Sequence, residues 1–97
     1  MARVVVTPRA VEDLHDLTEV LGLPATTLLR VQRSLRILES FPLAGRALMG
    51  RWEGVRFLIG PWPWLILLYV HDVEDDAVYV VAAHDGRSST SATEDRA

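Results

Sequence analysis

Apolar residues recur along this chain with two periods, first near three to four residues and then near two, and the change falls after Gly54. Val4-Val5-Val6 is short and β-branched, as a first strand is. Thr7-Pro8 then offers an N-cap hydroxyl followed by a proline suited to the first helical position. The spacing of Ala10, Val11, Leu14, Leu17 and Leu21 predicts a helix, with Glu12, Asp13, Asp16 and Glu19 on its other faces or at its positive end, and Gly22 as its stop. Pro24 fits the first turn of a second helix seamed by Leu28, Val31, Leu35 and Leu38, with Arg30, Arg33 and Arg36 between them and Phe41-Pro42 closing it. The short Gly22-Leu23 connection predicts an antiparallel hairpin, one helix acidic and the other rich in arginine. Charge pairs between them would contribute about 0 to 1 kcal/mol each.

From Leu43 to Gly54 the periodicity lapses among Gly45, Gly50 and Gly54, which predicts a loop. Three strands follow: Val55 to Ile59, Trp64 to Val70 after Gly60-Pro61-Trp62-Pro63, and Ala77 to Ala83 after the acidic turn His71 to Asp76. The expected fold is α+β in the order β-α-α-β-β-β, a helical hairpin packed on a mainly antiparallel four-stranded sheet. Trp64 to Val70 is apolar at nearly every position, so it is either central and covered on both sides or meets a partner with its second face.

Ninety-seven residues, 49% of them hydrophobic, suffice for one core. Residues 1–88 are expected to form a single domain, and 89–97, polar and small, a disordered tail. The absence of cysteine excludes disulfides, thiolate nucleophiles and cysteine-bound metals, and agrees with a reducing, cytoplasmic setting. The N-terminal apolar run is too short for a signal peptide, and the Phe57 to Val70 run is too short and too proline-broken to cross a membrane. A formal charge of -3, from ten arginines with no lysine against thirteen acids, argues against a general nucleic-acid coat and leaves room for a local basic face.

His84-Asp85-Gly86-Arg87 reads in two ways. A histidine beside an arginine at a strand end can titrate near neutrality and grip phosphate, or the segment is an ordinary solvated strand terminus. Arg46, Arg51 and Arg56, spaced by five, either face phosphate or are solvated and paired with acids. Trp52, Trp62 and Trp64 either stack on bases or anchor a core edge or partner interface. His15 and His71 read as surface histidines, and Asp72, Glu74 and Asp76 as a solvated turn lacking the glycine and distal glutamate of a calcium loop. No cofactor or metal is expected.

Val4-Val5-Val6-Thr7-Pro8-Arg9-Ala10-Val11-Glu12-Asp13-Leu14, Leu35 through Phe41-Pro42 and Gly45-Arg46-Ala47-Leu48 resemble, in order, the opening and post-helix stretches of the RelE/ParE toxins of toxin–antitoxin pairs. Gly54-Val55-Arg56-Phe57-Leu58, Leu68-Tyr69, Asp75 to Val81 and His84-Asp85-Gly86-Arg87 are similar to that family's last strands and basic end. The resemblance spans about residues 3 to 88. It implies a toxin neutralised by a cognate antitoxin protein, as a homodimer or a hetero-oligomer with it. Its target would be ribosome-bound mRNA, cleaved without a metal, or DNA gyrase, inhibited. Cleavage needs a base at the 2′-hydroxyl, positive charge on the phosphate and an acid for the leaving oxygen. The candidates are Arg56, His84 and Arg87, then Arg51 and Glu53. Ile66 stands where RelE-like toxins carry a middle-strand arginine, and Ser88 follows Arg87 where they end in tyrosine. The alternative is therefore a catalytically silent relative that acts only as a protein-binding module.

Overall fold

The computed structural model describes residues 1–87, so the expected tail lies outside the described residues. Strand β1 (Arg3–Val6) leads into helix α1 (Pro8–Leu21) through Thr7, whose Oγ1 accepts the Ala10 N–H at 3.4 Å and donates to the Val80 carbonyl at 2.7 Å. One hydroxyl thus caps the helix and ties its start to the sheet. Gly22 closes α1 in the left-handed conformation, φ 65°, which costs a glycine little.

The second helix is two pieces, α2 (Thr27–Ser34) and α3 (Ile37–Ser40), where the leucine spacing predicts one. Ser34 turns its hydroxyl back to the Val31 carbonyl at 2.8 Å, and the Arg36, Leu38 and Glu39 amides bond three residues back instead of four. The tightened turn keeps Leu35 and Leu38, three apart, on one buried face. Periodicity therefore located Val31, Leu35 and Leu38 in the core, placed the exposed Leu28 there in error, and missed the break. Among the described residues no ion pair joins α1 to α2; His15 instead faces Glu19 within α1 at 3.6 Å.

The sheet has five strands, one more than expected, in the order β1-β5-β4-β3-β2. The extra strand, β2 (Arg46–Ala47), lies in the stretch expected to be loop and pairs with β3 (Arg56–Ile59). Gly50 (φ 69°) and Gly54 (φ 93°), around a 3-10 turn at Gly50–Trp52, bend the connection, and the Leu48 N–H reaches the Val55 carbonyl at 2.9 Å. Two residues of pairing are too few to leave a period in the sequence. Strands β4 (Leu65–Asp72) and β5 (Ala77–Asp85) complete an antiparallel run, and β1 joins β5 in parallel.

β4 is central. Leu65, Leu67 and Tyr69 are fully buried against the helices with Leu14, Val31, Leu35, Leu38, Val78 and Val80, while Ile66, Leu68 and Val70 are half-buried on the other face. Asp13, on α1, accepts the Ala83 N–H at 3.0 Å. This lies beyond the end of β1, where β5 has lost its outer strand, so a side chain takes over the ladder. Among the described residues no helix is long and apolar enough to cross a membrane.

Candidate functional site

Directly opposed residues in adjacent strands share a face. Arg56 lies opposite Tyr69 and His84 opposite Ile66, so Arg56 points to the helix side and His84 to the open side. The two are also about 10 Å apart along β4. Arg56 donates through Nη1 to the carbonyls of Gly45 at 2.8 Å and Leu43 at 3.2 Å. It thereby holds the segment that leads into β2. Arg51 and Glu53 sit at the tip of the β2–β3 hairpin, beyond the Tyr69 end of β4, with the Arg51 guanidinium 5.6 Å from the centre of the Trp52 ring. Of the five candidates, only His84 and Arg87 lie at the same end of the sheet, three residues apart along the chain.

At that end β4 begins and β5 finishes, with His84 on the open side opposite Ile66 and Asp85 on the helix side opposite Leu65. His84 is exposed. Asp85 Oδ1 accepts the Arg87 main-chain N–H at 2.8 Å and its Nε at 3.1 Å, while Oδ2 accepts Nη2 at 3.1 Å. Hydrogen bonds from the Arg87 guanidinium, then from its backbone N–H, hold the Asp85 carboxyl below its usual range, burial opposing them weakly; the same contact raises Arg87.

Beneath the Arg87 guanidinium, 4.5 Å from its ring centre, lies Trp64. Trp64 stacks on Trp62 at 5.6 Å and 12°, and the Arg30 guanidinium of α2 lies 5.9 Å from the far indole. The result is a four-layer stack, arginine, indole, indole, arginine, running from a helix to the end of the sheet. Pro61 and Pro63 flank Trp62 in this tight connection, and the Gly60 N–H closes it on the Leu65 carbonyl at 2.8 Å. The Gly86 N–H donates to the Trp64 carbonyl at 2.6 Å, and a Cβ on Gly86 would stand 2.9 Å from Ile66 Cδ1. A side chain at Gly86 would press on the Trp64 carbonyl at 3.1 Å and require Ile66 to turn aside.

Sequence reasoning missed this frame, although alternating Trp-Pro-Trp and Asp-Gly-Arg, an Asx-turn pattern, were its available signals. Arg46, weighed as phosphate-facing or solvated, lies opposite Phe57 and so shares the open face with His84. On that face Arg3 Nη2 approaches the Tyr79 hydroxyl at 3.3 Å. The acidic β4–β5 turn is built as a solvated turn: Asp72 Oδ1 accepts the Glu74 and Asp75 amides, and His71 meets Asp76 at 3.2 Å. Among the described residues no group of three or more histidine, aspartate or glutamate side chains is placed to hold a metal ion. A groove of about 370 Å³ lies on the helix side, between Val4 and Val6 of β1 and Val11, Leu28, Leu35 and Arg36 of the helices.

The fold has solved counterparts. A chain of the crystal structure of the RelBE2 toxin–antitoxin complex from Mycobacterium tuberculosis superposes with a TM-score of 0.66 at 24% identity, covering 87% of this chain and 90% of that one. The isolated Escherichia coli RelE toxin superposes with a TM-score of 0.62 at 15% identity over 99% and 98% of the two chains.

The chain has the RelE fold.

A conserved hypothetical protein of Helicobacter pylori, solved in solution, shares that fold with a TM-score of 0.58 at 22% identity, covering 88% of this chain and 94% of its own. No family profile and no curated protein matches the sequence, so the likeness is carried by the RelE fold over nearly its whole length.

Proposed function

We propose that the chain is the toxin of a toxin–antitoxin pair, that a cognate antitoxin protein holds it inactive, and that the open face of its sheet is the working surface. The observation that carries this reading is that Arg46 and the exposed His84 share the open face of a sheet of RelE fold, with Arg87 three residues beyond His84 at the end of β5. Arg46, beside the half-buried floor of Phe57, Leu68 and Ile66, and Arg87 at the end of β5 supply positive charge for the phosphates of ribosome-bound message. His84 is the group placed to move a proton, being an exposed imidazole on the open face. In this reading Arg51, Glu53 and Arg56 lie outside the proton-transfer centre.

A second reading, a silent relative that only forms a complex, is favoured by two particulars: an isoleucine, Ile66, lies directly opposite His84, and Asp85 already neutralises Arg87. Expression of the chain alone and together with its genomic neighbour separates the readings. Growth arrest relieved by the neighbour, with cut message on ribosomes, supports the first. Complex formation with no growth effect supports the second. Growth arrest with intact message and blocked supercoiling moves the target to gyrase.

A further inference from the structure

We propose that Asp85 occupies, within the chain, the position that a phosphodiester takes on Arg87, so that Asp85 sets the affinity of this corner for RNA. The inference rests on the reading of the corner as a phosphate-contacting surface. The Asp85 carboxylate takes two parallel N–H groups of the guanidinium edge, Nε at 3.1 Å and Nη2 at 3.1 Å, and the main-chain N–H of Arg87 at 2.8 Å. The non-bridging oxygens of a phosphate present the same paired acceptors with the same sign of charge, and arginine recognises both in this forked geometry.

Both ligands therefore compete for one edge of one side chain. A phosphate reaches the pair from the Arg87 side, whose side chain is 58% exposed and screened by solvent, while the Asp85 side chain, 19% exposed, must turn aside to yield the edge. What holds the guanidinium in place does not depend on Asp85. Its face rests on Trp64, Trp64 rests on Trp62, Arg30 closes the far side, and the Gly86 N–H anchors the turn to the Trp64 carbonyl. When the carboxylate leaves, the indole still presents the arginine edge outward.

The test is equilibrium binding of a short fluorescein-labelled single-stranded RNA to the purified chain. In Asp85→Asn the amide oxygen can still accept the Arg87 main-chain N–H, while a donor replaces the acceptor that faced Nη2. This variant is expected to bind about two- to five-fold more tightly, the scale of one exposed charge contact. Arg87→Gln is expected to weaken binding, and the double variant to bind like Arg87→Gln alone. If the double variant instead keeps the full gain, Asp85 acts only through net charge and the proposal is overturned. Wild-type binding that responds to Arg87→Gln but not to Asp85→Asn overturns the proposal and spares the functional reading. Failure of every variant to bind RNA overturns both. Asp85→Ser, smaller and neutral, repeats the comparison, and near-ultraviolet circular dichroism of each variant reports whether the indole stack is intact.

Discussion

The hydroxyl of the buried Tyr69 accepts the N–H of Gly45 at 2.8 Å, joining the central strand to the segment that becomes the edge strand β2. Arg56 takes the Gly45 carbonyl from the other side, so both polar groups of this glycine are spent on the sheet. Tyr69→Phe leaves a buried donor without its partner, for an expected loss of about 1 to 3 kcal/mol. Gly45→Ala is expected to cost more than the change of propensity alone, because its Cβ would stand 2.7 Å from the Tyr69 hydroxyl. Urea unfolding of the two variants checks both; wild-type midpoints would rule the junction out as a source of stability.

Arg56 separates support from catalysis. Its guanidinium serves two carbonyls on the helix side, so Arg56→Met is expected to lower stability by about 1 kcal/mol. Per folded molecule, RNA binding should stay near the wild-type value. A stable variant with abolished activity would return Arg56 to the reacting centre.

Asp13 replaces a missing strand. Asp13→Ala removes the acceptor of the Ala83 N–H, with an expected cost of about 1 to 3 kcal/mol, and frees the end of β5 that carries His84. Amide hydrogen exchange at Ala83 should quicken selectively. Protection equal to wild type at Ala83 would show that the contact contributes nothing.

The sequence carried the parts of this fold that repeat. The Thr7-Pro8 start, the Gly22 stop and the leucine seam were legible because caps and periods are local. The break at Ser34 to Arg36 was not, since a side-chain bond to the Val31 carbonyl decides it against a good helical period. Neither was β2, whose two residues owe their strand state to Phe57 and Arg56 across the ladder. The candidate site followed the same division. The strand end that carries His84 and Arg87 was legible from its polar and glycine residues, whereas the faces of Arg56 and Arg46 depend on register, which residue types alone do not set.

The Asp85–Arg87 contact also has a pH signature. Arg87 depresses the Asp85 carboxyl below its ordinary value of 3.8, so the contact is fully present above that value and is lost only as pH falls through the depressed one. Trp64 lies under Arg87, so the difference in tryptophan fluorescence between wild type and Asp85→Asn should stay constant from neutrality down to about pH 4 and change below it. The charged neighbours here are His84, exposed on the preceding residue, and Arg87 itself. A change that sets in well above about pH 4 would show that the response does not come from Asp85.

Induction of the chain in growing bacteria, followed by mapping of new 5′ ends on ribosome-bound message, meets the central claim most directly. New ends should accumulate with the wild-type chain and vanish with Arg87→Gln and with His84→Ala, each shown by circular dichroism to be folded. Message that stays whole under the wild-type chain, or ends that persist unchanged in both variants, would contradict the assignment of the His84 and Arg87 corner as the working surface.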